Sequence, residues 1–179
     1  MDELQRRSRL EALFNEHAGA VRGYARRRID ADAADDTVSE VFAVACRRLE
    51  DVPDDALPWL LGCARNVIAH QHRRAQRDVA LAGRLQEAVD RPAVTTIRAD
   101  GDDALRRALT ELSEHDLELL MLIAWEGLRP AQAAQVLGCS RNTLAVRLHR
   151  ARRRLAAALR RADGTHRTAG TPRAAKETL

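Results

Sequence analysis

Pro130-Ala-Gln-Ala-Ala-Gln-Val-Leu137, Gly138-Cys-Ser140 and Arg141-Asn-Thr-Leu-Ala-Val-Arg-Leu-His-Arg-Ala-Arg-Arg-Arg-Leu155 follow one another without a gap. The order reads as helix, turn, helix. Pro130 suits a first helical position, Gly138 suits the left-handed residue that ends a helix, and Ser140 is a good N-cap for the next one. From Gly127 to Ala162 the chain carries nine arginines and no aspartate or glutamate. A cationic block of this density calls for a polyanion, and the helix-turn-helix is the fold that seats a helix in the DNA major groove. A solvated basic helix is the plainer reading of any charge run, but the punctuation around this one favours DNA binding.

The rest of the chain fits an all-α protein. Its 179 residues suit one or two domains, and 45% hydrophobic residues suffice for small cores. Only 3% are aromatic, so the cores are built from Leu, Val and Ala, and Val and Ile never form alternating runs between turns. The formal charge is +4, an average that conceals a basic C-terminal half and acids placed elsewhere. No long apolar span and no apolar leader after Met1 are found, so membrane insertion is not expected and the cytoplasm is. Cys46, Cys63 and Cys139 are an odd count at wide spacing and read as reduced thiols. His70 and His72 are the only close histidine pair, with no third ligand nearby and no CxxC spacing. No metal, cofactor, small-molecule substrate or catalytic residue is expected, and the chain does not read as an enzyme.

Apolar spacing divides the chain into two small helical domains joined by a flexible linker, the second domain holding the helix-turn-helix. Leu10, Leu13, Phe14, Val21, Tyr24 and Ala25 give one stripe, and Val38, Val41, Phe42, Ala45 and Leu49 a second. An acidic, proline-bounded loop from Glu50 to Pro58 precedes a third run, in which Leu60, Cys63, Ala64, Val67 and Gln71 share a face. The first domain therefore spans residues 5–78 and the linker 79–103, the latter carrying Arg91-Pro-Ala-Val-Thr-Thr and Ala99-Asp-Gly-Asp-Asp103. A second domain occupies 104–162, with helices at 105–112, 114–125, 130–137 and 141–161. Residues 163–179 read as a disordered tail.

At 100° per residue, Leu144, Leu148, Ala151, Leu155 and Leu159 of the last helix fall within about 80° of one another and form its core side. Asn142, Val146, His149, Arg150 and Arg153 lie opposite, facing base edges, with Thr143 and Ala145 at the margins. Arg147 and Arg154 lie on the flank, placed for phosphates. Arg152, Arg160 and Arg161 read as a solvated face. Val146 either meets a thymine methyl or packs on the preceding helix.

These residues resemble the C-terminal domain of the extracytoplasmic-function sigma factors of bacterial RNA polymerase. Leu112-Ser-Glu-His-Asp-Leu-Glu-Leu-Leu120 is similar to that family's Leu-Pro/Ser-x-x-x-Arg/Leu-x-x-Leu-Leu opening, and Val146-Arg-Leu-His-Arg-Ala-Arg-Arg-Arg-Leu155 to its Ser-Arg-Leu-x-Arg-Ala-Arg-x-x-Leu close. Ala34-Asp-Asp-Thr-Val-Ser-Glu-Val-Phe42 is similar to the family's Ala-Glu-Asp-Leu-Val-Gln-Glu-x-Phe helix, and Trp59-Leu-Leu-Gly-Cys-Ala-Arg-Asn-Val67 with Arg73 and Arg74 to its Trp-Leu-x-x-Ile-Ala-Arg-Asn helix. The motifs keep the family's order over about four-fifths of the chain.

The resemblance implies a promoter-specificity subunit that binds core RNA polymerase, reads the −10 and −35 promoter elements and starts transcription. It implies that Asp35, Asp36, Glu40, Val41 and Phe42 dock on the polymerase, and an acidic helix does suit a basic protein surface. A solvated acidic helix is the plainer reading of the same charges. For the −10 element it points to Arg65, Asn66, Arg73 and Arg74, and to Asp51, Asp54 and Asp55 in the loop that traps a flipped base, where carboxylates accept from base amino groups. Trp59 is either core or a support for that loop. For the −35 element it points to Asn142, Thr143, Val146, Arg147, His149, Arg150, Arg153 and Arg154. An anti-sigma factor is a further expected partner. The chain departs from the family at Ala145 and Val146, where Lys or Arg and Ser are usual, and at His70 and Gln71. The alternative, a dimeric helix-turn-helix repressor or activator, would need a dimerisation or ligand-receiving element that the pattern does not show.

Overall fold

Asp30 follows the end of the first helical run and caps the second. Its carboxylate accepts from the Ala33 amide at 2.9 Å, separating α1 (Glu3–Arg26) from α2 (Ala31–Arg47). The structure, a computed structural model, describes residues 2–82 and 103–169, with 78–82 and 163–169 described as backbone only. Every regular element among the described residues is helical. After a short 3-10 turn (Leu49–Asp51) come α3 (Ala56–Ala82), α4 (Asp103–Thr110), α5 (Glu114–Ala124), α6 (Pro130–Val136) and α7 (Arg141–Ala169).

The first three helices pack on one another around Val21, Val38, Val41, Ala45, Leu60, Leu61 and Ala64, all of them nearly or wholly buried. Thr37 is a wholly buried polar residue in this core. Its hydroxyl donates to the Ala33 carbonyl at 2.8 Å, so no buried polar atom is orphaned there. The apolar stripe of α1 departs from expectation at Phe14, which is 44% exposed and meets Phe42 edge-on with ring centroids 4.9 Å apart. The acidic loop is shorter than its sequence suggests. Leu49 and Val52 are buried anchors, α3 begins at Ala56, and Pro58 sits inside its first turn, a place that proline's missing amide permits.

The C-terminal unit packs α4, α5 and α6 against α7. Gly138 has φ +61° and Gly127 φ +65°, left-handed conformations that a side chain would strain. At Gly138 the amides of Gly138 and Cys139 donate back to Gln135 and Ala134, and Ser140 Oγ then accepts from the Thr143 amide at 3.1 Å to start α7. α7 continues to Ala169, so the tail expected from residue 163 begins as helix. The rest of that tail, 170–179, and linker residues 83–102 lie outside the described residues.

The two units are not separate beads. α3 packs against α6, and the buried apolar residues of both form one continuous cluster.

Candidate nucleic-acid interface

The exposed side of α7 follows from its period. Leu144, Leu148 and Ala151 are buried, joined by Ala158 and Ala162, while Asn142, Thr143, Val146, Arg147, His149, Arg150, Arg153 and Arg154 are all exposed. Val146 is 52% exposed, which leaves the thymine-methyl reading of that residue open to it. Seven of these eight side chains make no ion pair with another described residue. Arg154 does, reaching across to Asp116, a buried carboxylate on α5. Its guanidinium therefore fixes α5 to α7, a structural task that helical spacing alone does not reveal. Arg161 likewise pairs with Glu111, and Ser113 caps α5 through the Asp116 amide.

In the first unit, Asn66, Arg73 and Arg74 are exposed on α3 and Arg65 is half-buried. Asp51, Asp54 and Asp55 are exposed just ahead of that helix, whereas Arg73 and Arg74 lie about five turns along it, so the seven residues assigned to the −10 element are spread along α3 rather than gathered at one point. Two of the acids are already engaged. Asp51 accepts from Arg48 at 2.8 Å, and Asp55 accepts from Gln132 Nε2 of α6 at 2.8 Å with Arg129 at 3.6 Å. Trp59 is partly buried against the core. Cys63, one turn further along α3, is half-buried, and burial pushes its thiol up, with Arg48 opposing.

On α2, Asp35, Asp36 and Glu40 are exposed. Asp35 is held by Arg22 at 2.7 Å and Arg26 at 3.9 Å. Two residues expected on this surface belong elsewhere: Val41 is wholly buried and Phe42 is 7% exposed, because both sit on the α2 face that meets α1 and α3. The exposed aromatic edge is supplied by Phe14 of α1, whose neighbours Leu10, Glu11, Asn15 and Phe42 shape a shallow groove.

A second cluster joins the units and was not anticipated. Tyr24 Oη donates to Glu118 Oε1 at 2.8 Å, and Arg28 Nε to Glu118 Oε2 at 3.0 Å. Arg28 also donates to the Tyr24 carbonyl and to Glu126, which Arg27 grips in turn. The Arg28 guanidinium lies 3.5 Å over the Tyr24 ring, a stacking contact that offsets the lack of a hydrogen bond at its Nη2. Burial, with the Glu118 carboxylate beside it, holds the Tyr24 hydroxyl far above its ordinary range, so it stays a neutral donor. Burial disfavours the Arg28 charge, but its phenol and carboxylate neighbours outweigh that and raise its pKa.

Between the units lies a cleft of about 510 Å³ lined among others by Tyr24, Arg65, His72, Arg73, His115 and Arg147. Groups expected to meet DNA from both units face this one space.

The sequence matches the family profiles described as Sigma-70 region 2, over residues 13–78, and Sigma-70, region 4, over residues 102–155. It is 31% identical over 133 residues to the ECF RNA polymerase sigma factor EcfG of Rhodopseudomonas palustris, covering 73% of each chain. It is also 31% identical over 133 residues to a protein of Xanthomonas campestris pv. campestris named "Probable RNA polymerase sigma factor RfaY", covering 69% of this chain and 33% of that one. Among solved structures it is similar to the sigma factor RpoE of Bartonella quintana in complex with the anti-sigma factor NepR, at TM-score 0.61 and 25% identity over 84% of this chain and 96% of that one. CnrH in complex with the cytosolic domain of CnrY is similar at TM-score 0.58 and 25% identity, over 84% and 86% of the two chains.

Proposed function

The chain belongs to the extracytoplasmic-function sigma factors of RNA polymerase and is a promoter-recognising subunit, and from that premise we propose how its surfaces divide the work. The exposed side of α7 reads the −35 element, through Asn142, Thr143, Val146, His149, Arg150 and Arg153, while Arg147 and the exposed part of Arg154 meet phosphates. Arg65, Asn66, Arg73 and Arg74 meet the −10 region, with Asp51, Asp54 and Asp55 around the flipped base. Asp36 and Glu40, with Asp35 and the Phe14 edge, dock on core polymerase. An anti-sigma factor is a further partner, a reading supported by the complexes that the similar structures come from. The chain acts in the cytoplasm and catalyses no reaction of its own.

One observation carries the reading of the last helix: α7 buries Leu144, Leu148 and Ala151, with Leu155 and Leu159 partly buried, while leaving basic and amide side chains exposed over its N-terminal half. That is the geometry a recognition helix needs. The experiment is transcript mapping with core polymerase plus this protein on a promoter library. Defined starts with shared upstream elements are expected. A chain that gives none, yet binds duplex DNA tightly by itself, would instead be the repressor of the alternative reading.

A further inference from the structure

We propose that the cleft between the two units binds a small molecule of the nucleoside diphosphate class, a flat heterocycle carrying a charged phosphate chain. The proposal goes beyond promoter recognition. It shares three arginines with that reading, but its case stands on the cleft alone.

The cleft lies along the seam between the units. Tyr24, Arg27 and Arg28 at the end of α1 meet Glu118 of α5 and Glu126 just past it, and these pairs close the seam. Beside them α3, α5 and α7 leave a space of about 510 Å³, within the range of small-molecule sites at about 300–1,000 Å³. Its wall has two characters. Ile68, Leu117 and Met121 are apolar and buried, whereas Arg65, His72 and Arg73 recur at helical spacing along α3. Arg147 adds a guanidinium from α7, so cations converge from both units.

The charges do not cancel. Of the three acids on this wall, Glu118 is engaged by Tyr24 and Arg28, and Asp116 by Arg154. Glu114 remains, set against Arg65, Arg73 and Arg147, and none of these four makes an ion pair with another described residue. A partly enclosed space lined by one sign of charge concentrates its field on an incoming anion, and a planar guanidinium fork matches phosphate oxygens two at a time. A second observation points the same way. Arg28 also lines the cleft, its side chain is 10% exposed, and its Nη2 has no hydrogen-bond partner even with the guanidinium stacked on the Tyr24 ring. A buried donor without an acceptor is uncommon and costly, and a phosphate oxygen is an acceptor of the kind it lacks. Phosphate by itself leaves the apolar wall unused. A heterocycle covers that wall, and His72 and His115, one from each unit, offer rings for it to stack on.

Equilibrium dialysis of the full-length chain tests this, with adenosine diphosphate, pyrophosphate and adenosine as separate probes. One nucleotide per chain is expected, with pyrophosphate and adenosine each bound at least about tenfold more weakly, since each keeps only part of the contacts. Arg65→Ala on α3 and Arg147→Ala on α7 should each weaken the nucleotide by about tenfold or more, the effect of losing a charge-assisted hydrogen bond. Arg152→Ala, an exposed α7 position outside the cleft, should leave it unchanged. An equal loss in Arg152→Ala overturns the proposal by showing diffuse attraction to a basic helix. So does pyrophosphate binding as tightly as the nucleotide, wild-type affinity in both cleft variants, or no nucleotide retained at all. If one cleft variant loses its helicity, the other decides, and if both do, the three probes on the wild-type chain decide by themselves.

Discussion

Arg150 and Arg154 are four residues apart on α7, and the structure gives them different surroundings. Arg150 is exposed and makes no ion pair with another described residue, whereas Arg154 holds the buried Asp116. Replacing Arg150 with Ala should change which −35 sequences are used, by about 1–3 kcal/mol of discrimination at one position. A promoter library read by transcript sequencing checks it, and an even loss across all promoters would refute base reading. Arg154→Ala should instead lower stability, because Asp116 is left buried without its partner, at a cost of about 1–3 kcal/mol. A urea midpoint measures it, and Asp116→Asn in the same chain should recover part of the loss. The helical period puts both arginines away from the core, and both are exposed. It was silent on the pairing, because a carboxylate 38 positions upstream leaves no trace in a helical period.

At the scale of elements, α2 separates two roles that its sequence blends. Asp36 and Glu40 are exposed, while Val41 and Phe42 are buried. Charge reversal at Asp36 and Glu40 together should weaken assembly with core polymerase while leaving helicity intact, since close interface charge pairs couple by about 1.5–7 kcal/mol. Co-elution checks this, and undiminished assembly would remove α2 from the docking surface. Phe42→Ala tests the fold rather than docking, at about 3–5 kcal/mol of stability; Phe14→Ala, on the exposed edge, is the better docking variant. The helices themselves were legible, with α5, α6 and the start of α7 found to within a residue or two, because caps, Pro130, Gly127 and Gly138 mark them chemically. Phe14 alone departs from its stripe, for a physical reason, whereas Phe42 is buried as its stripe implied and only its docking role is not supported by its exposure. An apolar stripe states which side of a helix is buried but not how far along its length the neighbour reaches.

For the whole molecule, reach is the limiting quantity. α3 runs to Ala82 and α4 starts at Asp103, so 20 residues join the helices, and at roughly 3.3 Å each they extend to at most about 66 Å. Two promoter elements about 25 base pairs apart are separated by on the order of 85 Å, and the rest of that distance must come from the widths of the units. Deleting ten residues between Arg84 and Arg98 should therefore abolish use of normally spaced promoters without affecting polymerase binding, and a shortened spacer should restore part of it. Full activity on normal spacing would show that both elements are not held at once. The docking of the two units was invisible in the sequence. It depends on Tyr24 meeting Glu118 and Arg27 meeting Glu126, and Tyr24 by itself reads as one more apolar position of α1. That shared apolar cluster also bears on how the protein melts. Units that bury surface against one another lose that burial together, so a calorimetric scan of the free chain should show a single endotherm whose van't Hoff and calorimetric enthalpies agree. Cutting the seam pairs should resolve it into two, with the smaller unit melting first, and the gap between the peaks would measure how much each half owes to the other.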